Sequence, residues 1–376
     1  MITVVGIGAD GWEGLTPAAV QAISTAELVL GSPRQLDLVP VIVEKRVWRT
    51  LVELEGALDS SQHRRCVVLA SGDPMHYGIG VTLAGWFDIQ VIPAVSSISL
   101  ACAREGWAQQ DVTVVSLVGR PLTGLVAALQ YGARIVVLSE SAKTPALVRS
   151  LLEEHGFGDS VVRVWSKLGG ADEHVDGDVD DLNVVTIACV GEGLPVASGL
   201  PDDAFENDGQ ITKREVRAVI QSLLAPHPGE LLWDVGAGTG SVGIEWARAG
   251  GRTVAIERDA EKCARIARNA AALGVSVSVV ERPAPDAFPA LPEPDAVFVG
   301  GGATRDGLVE ACWAALRPGG RLVVNAVTVE SEAVLLAWQA KQGGELLRLS
   351  VQRTAPVGSF TGWKPMTTVT VWAVTK

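Results

Sequence analysis

Leu231-Leu232-Trp233-Asp234-Val235 is an apolar, strand-like run that passes directly into Gly236-Ala237-Gly238-Thr239-Gly240, after which Ser241 to Arg248 reads as a helix. A strand, a glycine-rich turn and a helix in that order commit this part of the chain to an open α/β sheet. The glycines are needed because the backbone must turn tightly and let a ligand come close, and the helix start offers unpaired N–H groups and partial positive charge. Glu257 follows 21 residues after Gly236, at the end of the strand Val254-Ala255-Ile256. That spacing puts a carboxylate beside the turn, where a sugar diol would lie.

One such unit does not account for 376 residues, a length that favours two domains of ordinary size. With 48% hydrophobic and 20% charged residues the chain has the means to bury two cores. Strand-like and helix-like segments alternate from Ile2-Thr3-Val4-Val5 through a helix read over Ala18 to Leu30, then strands at 66–70, 89–92, 112–117, 135–138, 161–164 and 184–189. This predicts a first α/β domain with a largely parallel sheet. The pattern lapses between Cys189 and Ile211, which reads as a linker, and resumes where Thr212-Lys213-Arg214-Glu215 has the form of a capping box. The reading therefore places the domains at 1–200 and 201–376, with strands at 254–257, 276–280, 296–299, 322–325 and 367–375 in the second and an antiparallel edge at its end.

The apolar runs are far shorter than the ~20 residues of a membrane span. Met1 leads straight into the first strand with no signal-like segment, so the expectation is a cytoplasmic protein without membrane contact. Cys66, Cys102, Cys189, Cys263 and Cys312 lack metal-ligand or CxxC spacing and read as buried small hydrophobes, so no metal is expected. A net charge of −12 disfavours nucleic acid as partner and favours a small or medium-sized substrate.

Gly238 to Gly243 matches GxGxxG, which leaves a dinucleotide oxidoreductase open, with Glu257 on a nicotinamide ribose. Against this, Gly236 directly ends the strand, with Asp234 two residues earlier, and Asp-Val-Gly-Ala-Gly-Thr-Gly resembles motif I of the class I S-adenosylmethionine methyltransferases. A nucleic-acid or protein methyltransferase would share that loop, and a non-catalytic binding module would keep it while transferring nothing. Thr212 with Glu215-Val216-Arg217, the glycine turn, Glu257-Arg258-Asp259, Ala284-Pro285-Asp286-Ala287 and Val297 to Gly302 together resemble the decarboxylating precorrin methyltransferase domain of the cobalamin pathway. The resemblance implies that Thr212, Gly236, Ala237, Gly238, Thr239, Gly240, Glu257 and Ala284 hold S-adenosyl-L-methionine. Gly300-Gly301-Gly302 follows a strand at the carboxyl edge of the sheet and is expected to line the substrate mouth, with Arg305 beyond it.

The first half lacks a second unit of that kind. In order it carries Val4-Val5-Gly6-Ile7-Gly8, Ser71-Gly72-Asp73-Pro74, Ile92-Pro93-Ala94-Val95-Ser96-Ser97 and Ser116-Leu117-Val118-Gly119-Arg120. Each alone is an ordinary turn or helix cap. The ordered set resembles the two-lobed tetrapyrrole methylase family, and Ser166 to Glu173 resembles its C5-methylating cobalamin branch. The resemblance implies a second S-adenosyl-L-methionine site bordered by Gly72, Asp73, Pro74, Ser96 and Ser97. His76 and Tyr77 are read as pocket wall and Arg120 as a contact for a substrate carboxylate.

The expected fold is thus α/β, a two-lobed tetrapyrrole methylase domain followed by a Rossmann-like class I methyltransferase domain. The expected activity is two methylations of a reduced precorrin, at C5 by the first domain and at C15 by the second, with removal of the ring C acetate carboxyl as carbon dioxide. One methyl-donor site per domain, a tetrapyrrole substrate and a homo-oligomer complete what the resemblance implies. It leaves the catalytic acid and base unassigned, although Asp73 and Asp286 lie near the expected donors.

Overall fold

The computed structural model describes residues 2–61 and 64–376, so Met1 lies outside it. The chain divides into two compact units: one runs to Leu122 and resumes from Ala128 to Gly193, and the other comprises Leu194–Lys376 with Thr123–Ala127. Among the described residues no helix is long and apolar enough to cross a membrane.

The first unit holds two sheets. In the first, β1 (Ile2–Ile7), β2 (Leu28–Gly31), β3 (Glu44–Val47), β4 (Cys66–Ser71) and β5 (Ile89–Ile92) lie in the order β3-β2-β4-β1-β5, and every pairing is parallel. The helix expected over Ala18 to Leu30 ends at Ser24, and Leu28–Gly31 is a buried strand. Sequence periodicity blurred this boundary: Leu28-Val29-Leu30 is buried on both faces of a parallel sheet, and such a run looks the same as a buried helix segment. The second sheet contains β6 (Val112–Ser116), β7 (Arg134–Leu138), β8 (Val161–Ser166), β9 (His174–Val175) and β10 (Asn183–Ala188) in the order β6-β7-β10-β8-β9. Only β6 and β7 run parallel in it, so the expected largely parallel arrangement holds for the first lobe and fails for the second. There β10 runs antiparallel between β7 and β8, and β9 lies antiparallel on the far side of β8.

In the second unit β11 (Leu231–Val235), β12 (Arg252–Glu257), β13 (Ser278–Glu281), β14 (Ala296–Val299), β15 (Arg321–Ala326), β16 (Glu345–Leu349) and the final strand β19 (Val369–Thr375) form one sheet, ordered β13-β12-β11-β14-β15-β19-β16. β17 (Gln352–Val357) and β18 (Phe360–Pro365) form a separate hairpin between β16 and β19. β19 runs antiparallel to both β15 and β16, so the antiparallel strand sits one place in from the edge and β16 closes the sheet. Trp233, Trp246 and Trp372 are fully buried, each contributing about 1.5–3 kcal/mol or more of apolar transfer free energy.

The segment read as a linker is part of this unit's core. Leu200, Phe205 and Ile211 are buried together with Ile244, Ala270 and Leu273. They are held by Glu245, which accepts hydrogen bonds from the Gly199 N–H (2.8 Å) and the Leu200 N–H (2.9 Å). Arg217, wholly inaccessible, donates through Nε to Glu245 Oε1 at 2.6 Å, pairs with Asp202 at 3.3 Å and stacks over Phe205 at 4.8 Å. The polar, glycine-rich composition of 191–209 concealed this, because its few apolar residues are too sparse to show a period.

The same contacts overturn the expected capping box. The helix spans Arg214–Leu224 with Lys213 at its N-cap and no side-chain capping bond. Asp202 replaces the cap from a distance, accepting from the Arg214 N–H at 2.9 Å, and Glu215 turns outward to pair with Arg353 at 2.6 Å.

Candidate functional site

A cavity of about 1010 Å³ opens in the second unit at the carboxyl ends of β11 and β14, where the strand order reverses. This is the crevice in which open α/β sheets bind ligands. It is lined by Gly236, Ala237, Gly238 and Thr239 after β11, by Gly300, Gly301 and Gly302 after β14, and by Thr212 and Glu257. All nine are candidate site residues in the sequence. Gly240 lies behind them and starts the helix Ser241–Arg248. Ala284 packs against the sheet core and Arg305 faces Asp286 at 3.8 Å; neither is among the residues lining the cavity.

Gly238 has φ +60°, and a β-carbon there would meet nothing nearer than the Gly236 carbonyl at 4.0 Å. A side chain at that position would be strained and would project into open space, so the loop forms a cradle that glycine keeps clear. Glu257 anchors the loop. Its Oε2 accepts from the Gly238 N–H at 3.1 Å, while Oε1 accepts from the N–H groups of Arg258 (2.8 Å) and Asp259 (3.2 Å). A carboxylate has about four acceptor sites, so one remains for a ligand hydroxyl.

Beneath the loop lies Asp234, fully buried. Its Oδ2 accepts from the Gly243 N–H at 2.9 Å, while Oδ1 has no protein partner. Burial, reinforced by the Glu257 charge, pushes this carboxyl up to about 7 although the Gly243 bond opposes the shift. In the folded state it holds a proton that the unfolded chain releases near pH 4, so this group makes stability fall as pH rises from about 4 to 7. Asp234→Asn is expected to flatten that slope in urea titrations across the window. An unchanged slope would show that Asp234 is ionised throughout.

Five charged residues line the cavity, and four of them are basic: Lys213, Lys262, Arg353 and Lys364, against Glu257 alone. An acidic chain thus gathers basic side chains at this cavity, although Arg353 among them is ion-paired with Glu215 and Asp202. The cations expected from the sequence, Arg120 and Arg305, are not among these basic residues. A signal for the missed pair was present: Gly358-Ser359 between Gln352–Val357 and Phe360–Pro365 has the two-residue form of a hairpin turn, and it sets Arg353 directly opposite Lys364.

In the first unit the separated motifs converge at the carboxyl ends of three adjacent parallel strands. The Gly72 N–H donates to the Ile7 carbonyl at 3.1 Å, and a β-carbon on Gly6 would stand 2.1 Å from the Gly72 oxygen and 2.5 Å from the Ala94 nitrogen. Ser96 caps the helix Ser97–Glu105 through the Ser99 N–H at 3.1 Å, so Ser97 is its first residue. Asp73 Oδ1 closes the Gly-Asp-Pro turn by accepting from the Met75 N–H at 2.9 Å, which sets Pro74 at the base of the next loop. The Ser166 to Glu173 segment is fastened to that helix by Arg104, which donates through Nη2 to Glu173 Oε2 at 2.8 Å. Arg120 stands over the Tyr77 ring at 4.9 Å.

All five cysteines are free and buried. Burial pushes the thiols of Cys189 and Cys312 up to about 11 and about 12, which leaves them protonated and inert near neutral pH.

Two family models match in series, the tetrapyrrole (corrin/porphyrin) methylases over residues 1–183 and the precorrin methyltransferase domain over 203–376. A precorrin-6Y C(5,15)-methyltransferase (decarboxylating) from Sinorhizobium is 47% identical over 100% of this chain and 96% of its own length. The chain belongs to the precorrin-6Y C(5,15)-methyltransferase (decarboxylating) family. Shorter relatives match parts of it. The cobalt-precorrin-7 C(5)-methyltransferase of Salmonella typhimurium is 31% identical over 46% of this chain and 89% of its own length. The probable cobalt-precorrin-6B C(15)-methyltransferase (decarboxylating) of Saccharolobus solfataricus is 32% identical over 39% and 79%.

Proposed function

We propose that this chain methylates reduced precorrin-6 at C5 and C15 and decarboxylates the ring C acetate, with residues 1–200 acting at C5 and residues 201–376 at C15 and in the decarboxylation. The observation that carries the reading is the glycine cradle of the second unit, held open by Glu257 at the mouth of a cavity whose other charges are basic. The separate C(5) and C(15) relatives support the division of labour.

S-adenosylmethionine supplies an electrophilic methyl group when bound. In the second unit Glu257 would accept from a ribose hydroxyl, and the loop Gly236–Gly240 with the helix start behind it would hold the carboxylate of the donor. Thr212, which lines the same cavity, completes that set. In the first unit Gly72, Asp73, Pro74, Ser96 and Ser97 would border a second, independent donor site. Lys213, Lys262 and Lys364, with Gly300–Gly302, would hold the tetrapyrrole carboxylates in one unit, and Arg120 would do so in the other. Arg305, paired with Asp286 and outside the cavity lining, is not part of this set. The chain's part is then mainly to fix a nucleophilic meso carbon against the donor, and orientation alone is worth effective molarities of about 10⁵ M or more.

Homo-oligomerisation and a cytoplasmic location extend the same reading. They are supported by the exposed Val357, Phe360 and Trp363 of the hairpin and by the absence of disulfides among the described cysteines. Mass spectrometry of reduced precorrin-6 incubated with the chain and excess S-adenosylmethionine tests the activity. The expected product has gained two methyl groups and lost one carbon dioxide. Donor binding with no change in precorrin mass would refute the substrate.

A further inference from the structure

Tyr77 occupies a backbone conformation that costs energy. It has φ +56°, in the left-handed region that a bulky side chain rarely adopts, in the loop that follows Gly72-Asp73-Pro74. Its ring is about half exposed (49%), so burial does not explain the strain. Three contacts define the ring's position instead. It stacks on His76 with centroids 5.5 Å apart, its hydroxyl makes a long bond of 3.4 Å to the Val114 carbonyl on β6 of the other lobe, and the Arg120 guanidinium lies 4.9 Å above its face. Among the described residues Arg120 has no carboxylate partner. A guanidinium parked on an aromatic face, with its N–H fork unused, is oriented without being neutralised.

We infer that Tyr77 is a positioning residue: its ring holds Arg120 of the second lobe over the loop of the first, as a fixed anchor for one carboxylate of the tetrapyrrole. The inference rests on the reading of Arg120 as a substrate contact. The strain at Tyr77 is retained because the ring must reach across from the Gly-Asp-Pro loop, whose backbone also sets the methyl-donor site, so that donor and substrate anchor are registered by one turn.

The test is steady-state C5 methylation of reduced precorrin-6 by the full chain, followed by mass spectrometry, with thermal melting alongside. Tyr77→Ala is expected to raise KM for the precorrin about tenfold, with a much smaller change in kcat. Tyr77→Phe keeps the face and should restore most of the loss. Tyr77→Gly relieves the strained φ, so it should melt no lower than the unaltered chain while showing the same KM defect as Tyr77→Ala. Arg120→Gln separates the two layers. If it raises KM while Tyr77→Ala does not, Arg120 is the anchor and the positioning role is wrong. If neither changes KM, the reading of Arg120 itself falls and the inference falls with it. A Tyr77→Gly chain with lowered melting midpoint and unchanged KM would mean that the ring serves folding, which also overturns the inference.

Discussion

Glu257→Gln is expected to weaken S-adenosylmethionine binding at the second unit about a hundredfold and to suppress C15 methylation and decarboxylation together. Both carboxylate oxygens accept backbone N–H groups, Oε2 from Gly238 and Oε1 from Arg258 and Asp259. An amide must turn its NH₂ toward one of these donors, so either the glycine loop or the start of the following helix loses its anchor. The charge available to a sugar diol disappears as well, and hydrogen bonds to a charged group contribute about 1.5–3 kcal/mol each. Direct titration of the donor and product mass report the effect. Unaltered decarboxylation in this variant would remove Glu257 from the site.

The second large effect concerns stability. Arg217→Met should destabilise the second unit by about 3–5 kcal/mol, because it leaves Glu245 buried without its counter-charge. For a unit of this size that corresponds to a fall of about 10 °C in melting midpoint. The loss reaches the site, since Arg217 also holds the carbonyls of Leu200 and Thr212 and so shapes the chain leading to the cavity rim. Arg217→Met combined with Glu245→Leu should recover part of the midpoint, although the Gly199 and Leu200 N–H groups then lose their acceptor. If the double substitution melts no higher than the single one, the pair is not what the single substitution breaks.

These two predictions differ in how far sequence could foresee them. The cradle and Glu257 were legible because they are local: strand, turn, helix and next strand follow one another, and glycine at a positive φ has few substitutes. The two lobes' motifs were legible as an ordered set, and parallel pairing of β1 with β4 and β5 explains why residues so far apart meet. The Arg217–Glu245 pair was not foreseen, since it joins two helices. Yet Arg217 and Gln221 share the buried face with Val216, Ile220 and Leu224, and a charge on an apolar stripe is itself a signal. Two of the four basic residues at the cavity, Arg353 and Lys364, come from a hairpin whose exposed strands show no clean alternation of polarity, so only its Gly-Ser turn signals it. The strained backbone at Tyr77 has no counterpart in sequence.

Under the proposed function each unit would carry its own methyl-donor site. Isothermal titration of the full chain with S-adenosylmethionine addresses it directly, beside Glu257→Ala and Gly6→Val, the latter forcing a side chain into the 2.1 Å gap before the Gly72 carbonyl. The unaltered chain is expected to bind two equivalents and each variant one. A single equivalent in the unaltered chain, or loss of all binding in either variant, would contradict it.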